Sequence, residues 1–212
     1  MHIALISVHG IPEALFGLGL SHGLTSGILE ARGPEADKMA PRLIQIARQL
    51  AGKGNGEDKF LRMVTMYYDV SAPRYWWSEA DTYAVGVVKQ SESTMHGLHK
   101  LQRFSQAHFA HKIPESTLDA LNYLLEEYKT KRDDYALTML KNALPEGFLQ
   151  RRIWMLSMAA ALGIVRQRWT HRLPEWRTVC RQILADLPDW ATYSIRDIKA
   201  QDALMRAGDF EG

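Results

Sequence analysis

The sequence predicts an α+β fold in which a small antiparallel sheet packs against several helices. Three observations lead there. Val64, Met66, Tyr68 and Val70 alternate with Thr65, Tyr67 and Asp69, the two-residue period of a half-buried strand. His2–Val8 is a second apolar run of strand length. From Pro114 onward, apolar residues recur three and four apart, as in helices that bury one face. Strands fall early and helices late, which is the order of an α+β chain.

After the first strand, Ile11 to Ser26 mixes apolar residues with glycines and reads as a helix with loops. Gly33 to Asp37 is turn-like. Leu43, Ile46, Ala47 and Leu50 form a helical stripe, and Gly52-Lys53-Gly54-Asn55-Gly56 stops it. Pro73 stands where a helix can begin, with Trp76, Ala80, Tyr83 and Val87 as its expected apolar stripe. Leu118, Leu121, Leu125 and Tyr128 mark a helix after Pro114, and Tyr135 to Asn142 another. Leu144-Pro145-Glu146 then precedes what reads as one long helix from about Phe148 to Arg168. Leu173-Pro174-Glu175 opens the last strong helix, whose buried face is Trp176, Val179, Cys180, Ile183 and Leu187.

The 212 residues contain no repeat, low-complexity tract or linker, so 1–212 is read as a single domain. The one cysteine, Cys180, excludes an intrachain disulfide framework and a Cys-rich zinc site. A net charge of +2 gives no bulk attraction for nucleic acid. There is no apolar run of membrane-spanning length, and Met1–Val8 has no basic leader. A soluble cytoplasmic protein without a membrane partner is expected.

The densest polar cluster is late. Between Leu144 and Gln182 stand seven arginines, Arg151, Arg152, Arg166, Arg168, Arg172, Arg177 and Arg181, against Glu146 and Glu175 alone. Planar guanidinium forks bind phosphate oxygens in pairs, so part of this cluster suits a phosphorylated ligand; a solvated basic face is the alternative. A second cluster runs from Pro73 to Tyr83. Adjacent helical residues diverge by about 100°, so one of Trp76 and Trp77 is expected in the core and the other in a groove or subunit contact. Glu79, Thr82 and Tyr83 are spaced to share a helix face. Lys89-Gln90-Ser91-Glu92-Ser93-Thr94-Met95-His96 offers hydroxyls, an amide and a cation to a phosphate or base edge, or simply a helix cap.

Weaker signals are His96-x-x-His99 and His108-x-x-His111, which lack the third ligand of a metal site, so no metal is assigned. Gly19-Leu20-Ser21-His22-Gly23 fits a serine-hydrolase string without its strand-turn-helix setting. Trp169 or Trp176 could stack on bases if the arginine-rich helices bound nucleic acid, a reading that the small net charge disfavours.

The order of parts from Phe60 to about Leu187 resembles a divergent, phage-type flavin-dependent thymidylate synthase (ThyX). The resemblance rests on a strand ending Ala72-Pro73, a helix, a Ser-rich turn, a helical arm, Leu144-Pro145, Arg168 and the His171-to-Trp176 segment. Laid without gaps from Ala72-Pro73, the family's R-H-R falls on Thr82-Tyr83-Ala84 and its preceding glutamine on Glu79. Its N-A-R falls on Ser157-Met158-Ala159, and its next arginine matches at Arg168.

The resemblance implies a homotetramer binding FAD and a pyrimidine nucleotide, with NADPH and methylene-folate if catalytic. The nucleotide would meet Arg168, Arg172, Glu79, Ser91, Ser93, Arg151 and Arg152. The flavin would meet Arg74, Thr82, Tyr83, Lys89 and Gln90, and no catalytic residue is assigned. Because R-H-R supplies fixed cations to flavin and substrate, its replacement leaves two outcomes. Either other cations rebuild the site, with Arg74, Lys89, Arg151 and Arg152 as candidates, or the chain is a non-catalytic nucleotide-sequestering or regulatory protein.

Overall fold

The computed structural model of the chain describes residues 1–24 and 34–200. In chain order these form β1 (His2–His9), α1 (Ile11–Ser21), α2 (Pro34–Leu50), β2 (Thr65–Pro73), α3 (Arg74–Ala80), β3 (Val87–Ser91) and α4 (Thr94–Gly97). There follow α5 (Glu115–Lys131), α6 (Asp134–Ala143), β4 (Leu149–Ser157), α7 (Met158–Arg168), α8 (Pro174–Asp186) and α9 (Asp189–Thr192). The strands form one four-stranded antiparallel sheet in the order β1-β2-β4-β3. The α+β class read from the sequence holds.

β2 is the strand that the alternation predicts. Met66, Tyr68, Val70 and Ala72 are buried, whereas Thr65, Tyr67, Asp69 and Ser71 are partly exposed. Two strands were not expected. The segment read as the start of a long helix at Phe148 is β4, where Trp154 and Leu156 are buried and Arg151 and Ile153 exposed. A period of two was present there, but Arg152 and Gln150 occupy its inward positions and mask it. Helix begins only at α7, where the Ser157 hydroxyl caps the Ala160 amide at 3.2 Å.

The helix after Pro73 is also shorter than its stripe suggests. α3 stops at Ala80, Tyr83 lies in the following turn, and Val87 belongs to β3. Near the N-terminus, Pro34 to Asp37 open α2 rather than form a turn. Gly33, and Thr25 and Ser26 of the ambiguous early segment, lie outside the described residues.

The chain divides into two compact units. One comprises Met1–Ile3, Asp69–Tyr83 and Lys89–Trp154; the other comprises the described residues of Ala4–Tyr68, Ala84–Val88 and Met155–Gly212. In the first, α5 and α6 bury Leu118, Leu121, Leu125 and Leu140 against Phe104, Phe109 and Phe148. The same unit contains a tryptophan cluster. Trp76 and Trp77 meet at 4.8 Å between ring centroids, and Trp154 meets Trp76 at 5.6 Å, both edge-to-face. Both neighbours on α3 are fully buried, contrary to the expectation of one in a groove. They diverge around the helix, but protein covers both sides, and the Trp77 indole N–H donates to the Gln150 carbonyl at 2.9 Å. In the second unit, α7 packs on α8, burying Leu162, Ile164 and Val165 with Trp176, Val179 and Ile183.

Candidate functional site

In the second unit, a cavity of ≈ 320 Å³ forms where sequence-distant segments meet, lined by Arg62, Val85, Gly86, Ser157, Ala159 and Ala160. Gly86 has a left-handed backbone (φ +70°), and a Cβ there would fall 2.5 Å from the Ser157 hydroxyl. The Ser157 amide donates to the Gly86 carbonyl at 2.7 Å, so the turn before β3 is tied to the start of α7. Arg62 is a cation that sequence reasoning missed. It sits in a short 3₁₀ turn (Lys59–Arg62) after Glu57-Asp58, a run of mixed charge with no basic excess, so only its placement singles it out. An exposed guanidinium beside the positive end of an eleven-residue helix suits an anionic ligand.

In the first unit, two predicted positions, Lys89 and Arg152, meet at Asp81. Its carboxylate bridges the Lys89 ammonium at 3.2 Å and the Arg152 guanidinium at 3.0 Å. Lys89 also donates to the Tyr83 carbonyl at 3.3 Å, and Thr82 closes the turn by donating to the Glu79 carbonyl at 2.7 Å. Glu79, Thr82 and Tyr83 therefore do not share one helix face, because α3 has ended. Arg152 stacks over Trp77 at 4.4 Å and donates to the Gln150 side chain at 2.9 Å. Its side chain is only 15% exposed, so its donors are already engaged with protein.

Arg151, on the same strand, points the other way and pairs with Asp69 through two hydrogen bonds, one of 2.7 Å. That guanidinium holds the Asp69 carboxyl below its usual range. Arg74 binds the Leu144 carbonyl at 3.1 Å and the Glu146 carboxylate at 3.2 Å.

The Ser-rich segment is part strand and part cap. Gln90 and Ser91 end β3, and the Ser93 hydroxyl accepts the His96 amide at 3.2 Å. Ser93 nevertheless lines a cavity of ≈ 400 Å³ with Glu92, Thr94, His96, Lys100 and His108. The Ser105 amide donates to His108 Nδ1 at 3.0 Å.

Arg168 and Arg172 lie in the second unit. The Arg168 guanidinium covers the Trp176 ring at 4.9 Å, and Arg172 is exposed in the turn before α8. Trp169 and Trp176 are buried, 4% and 0% exposed, and cannot stack on bases. Cys180 is core: burial pushes its thiol up to about 12, only partly offset by the Arg168 charge. The Gly19–Gly23 string ends α1 instead of following a strand, and its serine donates back to the Gly17 carbonyl. Among the described residues no three His, Cys, Asp or Glu side chains gather as metal ligands, and no helix is long and apolar enough to cross a membrane.

Neither a protein-family model nor a curated protein sequence matches the chain. Solved structures do. ThyX from Helicobacter pylori with FAD and dUMP superposes with a TM-score of 0.70 at 12% identity, over 93% of this chain and 99% of that one. A second structure of the H. pylori enzyme with the same ligands gives 0.69, with the same identity and coverage. The UMP/dUMP methylase PolB from Streptomyces cacaoi, bound with 5-Br dUMP, gives 0.56 at 12% identity over 86% and 87%. The chain has the ThyX fold.

Proposed function

We propose that this protein binds a pyrimidine nucleotide and FAD as a flavin-dependent thymidylate synthase or a related pyrimidine-nucleotide methylase. The observation that carries this reading is the cavity at Arg62. Two segments on which the family's R-H-R and N-A-R signatures abut, about seventy residues apart in sequence, line one space beside a cation and a helix N-terminus. That donor set fits an anionic group, whether a phosphate or a reduced flavin ring. When bound, the flavin supplies the hydride chemistry. Arg62 neutralises the ligand's charge, and the Gly86–Ser157 tie holds the walls at fixed separation.

The same proposal keeps Arg168, Arg172, Glu79, Ser91, Ser93, Arg151 and Arg152 as nucleotide contacts, and Arg74, Thr82, Tyr83, Lys89 and Gln90 as flavin contacts. It also keeps a single domain over 1–212, a phage-type origin, a cytoplasmic location and a homotetramer. The interleaving of the two units along the chain supports the single domain, since no one cut separates them. NADPH and methylene-folate enter only if turnover occurs.

A specific observation favours a second reading, a non-catalytic nucleotide-binding protein. Thr82-Tyr83-Ala84 carries no cation, and Arg74, Lys89, Arg151 and Arg152 each already pair with a carboxylate. One set of measurements separates the readings: the flavin absorbance band of purified protein, dUMP and FAD titrations of wild type and Arg62→Gln, and NADPH oxidation with dUMP and methylene-folate. Yellow protein that turns over supports the synthase, with at least tenfold weaker ligand binding in Arg62→Gln. Nucleotide binding without product selects the second reading. A colourless protein that binds neither FAD nor any pyrimidine nucleotide ends both.

A further inference from the structure

A second cationic site lies in the unit that holds Arg62, at the glycine-rich loop after α2. The notch measures ≈ 280 Å³, and its lining includes Arg48, Lys53, Tyr193, Ser194, Arg196 and Asp197. Arg166, one of the seven arginines of the late basic stretch, donates to the carbonyl of Gly52, a lining residue, at 3.0 Å. Gly52 is left-handed (φ +71°), and a Cβ there would fall on the Arg166 guanidinium and the Ser194 hydroxyl. The absence of a side chain is what lets a guanidinium, a hydroxyl and the loop backbone meet at one point.

The charge does not cancel. Lys53 pairs with Glu57 at 2.7 Å, and Arg196 lies 4.0 Å from Asp197 while stacking on the Tyr193 ring at 4.8 Å. Among the described residues, Arg48, Lys53, Arg166 and Arg196 thus stand against Glu57, Asp58 and Asp197, an excess of one positive charge at an exposed concave surface, and Arg48 is in no ion pair there. Guanidinium forks and a hydroxyl lining one notch match phosphate oxygens, and the notch has room for the group that carries the phosphate.

We infer that this notch binds the phosphate of a small phosphorylated molecule, separately from the cavity at Arg62. The test uses the full chain and a base-free probe, ribose 5-phosphate, followed by phosphorus NMR alongside inorganic phosphate. Saturable binding is expected for wild type and for Arg62→Gln. It weakens at least tenfold in the double variant Arg48→Glu/Arg196→Glu, and also in the milder Arg48→Gln/Arg196→Gln. Both positions are exposed, and circular dichroism verifies that each variant is folded. Equal binding by the folded double variants, or no saturable binding by wild type, overturns the inference. An oligothymidylate that binds saturably where ribose 5-phosphate does not also overturns it, because the notch would then contact a nucleic-acid backbone.

Discussion

Replacing Gly86 by alanine tests how the candidate cavity is built. Two costs follow from the geometry. An L-residue at φ +70° costs about 1–2 kcal/mol in backbone strain. The new Cβ would also lie 2.5 Å from the Ser157 hydroxyl, which caps α7 through the Ala160 amide; moving that hydroxyl aside forfeits a cap of about 1 kcal/mol. Gly86→Ala should therefore lose about 2–3 kcal/mol by urea denaturation. Ser157→Ala alone should lose about 1 kcal/mol. The double variant has no hydroxyl left to displace, so it should lose about 1 kcal/mol less than the sum of the singles. The Ser157 Cβ, 3.3 Å from the new methyl, leaves a small residual conflict in both backgrounds. Strict additivity, or a Gly86→Ala cost below about 0.5 kcal/mol, would refute the argued contact between turn and cap.

Two further perturbations address the charges. Asp81→Asn removes the one carboxylate shared by Lys89 and Arg152, whose side chains are 13% and 15% exposed. It should cost about 1–2 kcal/mol in the same assay, with partial recovery in Asp81→Glu; an unchanged denaturation midpoint would show that solvent, not Asp81, balances these cations. Asp69 supplies a pH test. Its folded pKa is depressed by the Arg151 hydrogen bonds, so its stabilisation is fully present above the unfolded carboxyl range and is lost as pH falls through the folded value. Wild type should exceed Arg151→Ala in stability at pH 7, and the gap should close on acidification below the usual carboxylate range. A gap that is independent of pH would contradict the assignment of Asp69 as the partner.

How far the sequence could be read differs from element to element. β2 was legible because a strand with one buried face writes its period directly into side-chain polarity, from Met66 to Ala72. α5 and α8 were legible for the same reason at the helical period. β4 was not, since Arg152 holds an inward position by stacking on Trp77 and pairing with Asp81, a neutralisation that its neighbours in sequence do not reveal. The end of α3 was hidden as well: Tyr83 and Val87 continue its spacing, but Asp81 turns to Lys89 and the chain breaks off into β3.

The candidate site divides along the same line. Residue types and periodicity by themselves determined the fold class, the strand β2 and the helices α5 and α8. Local propensity and periodicity are properties of neighbours in the chain, so these features needed nothing else. Which cations are free to meet a ligand was decided only by tertiary structure. Arg151 and Arg152 differ by one position, yet one pairs with Asp69 and the other with Asp81, while Arg62 enters the cavity from a segment without distinguishing pattern. A charge's availability depends on what the fold places within a few ångströms of it, and that distance is set between residues far apart in sequence.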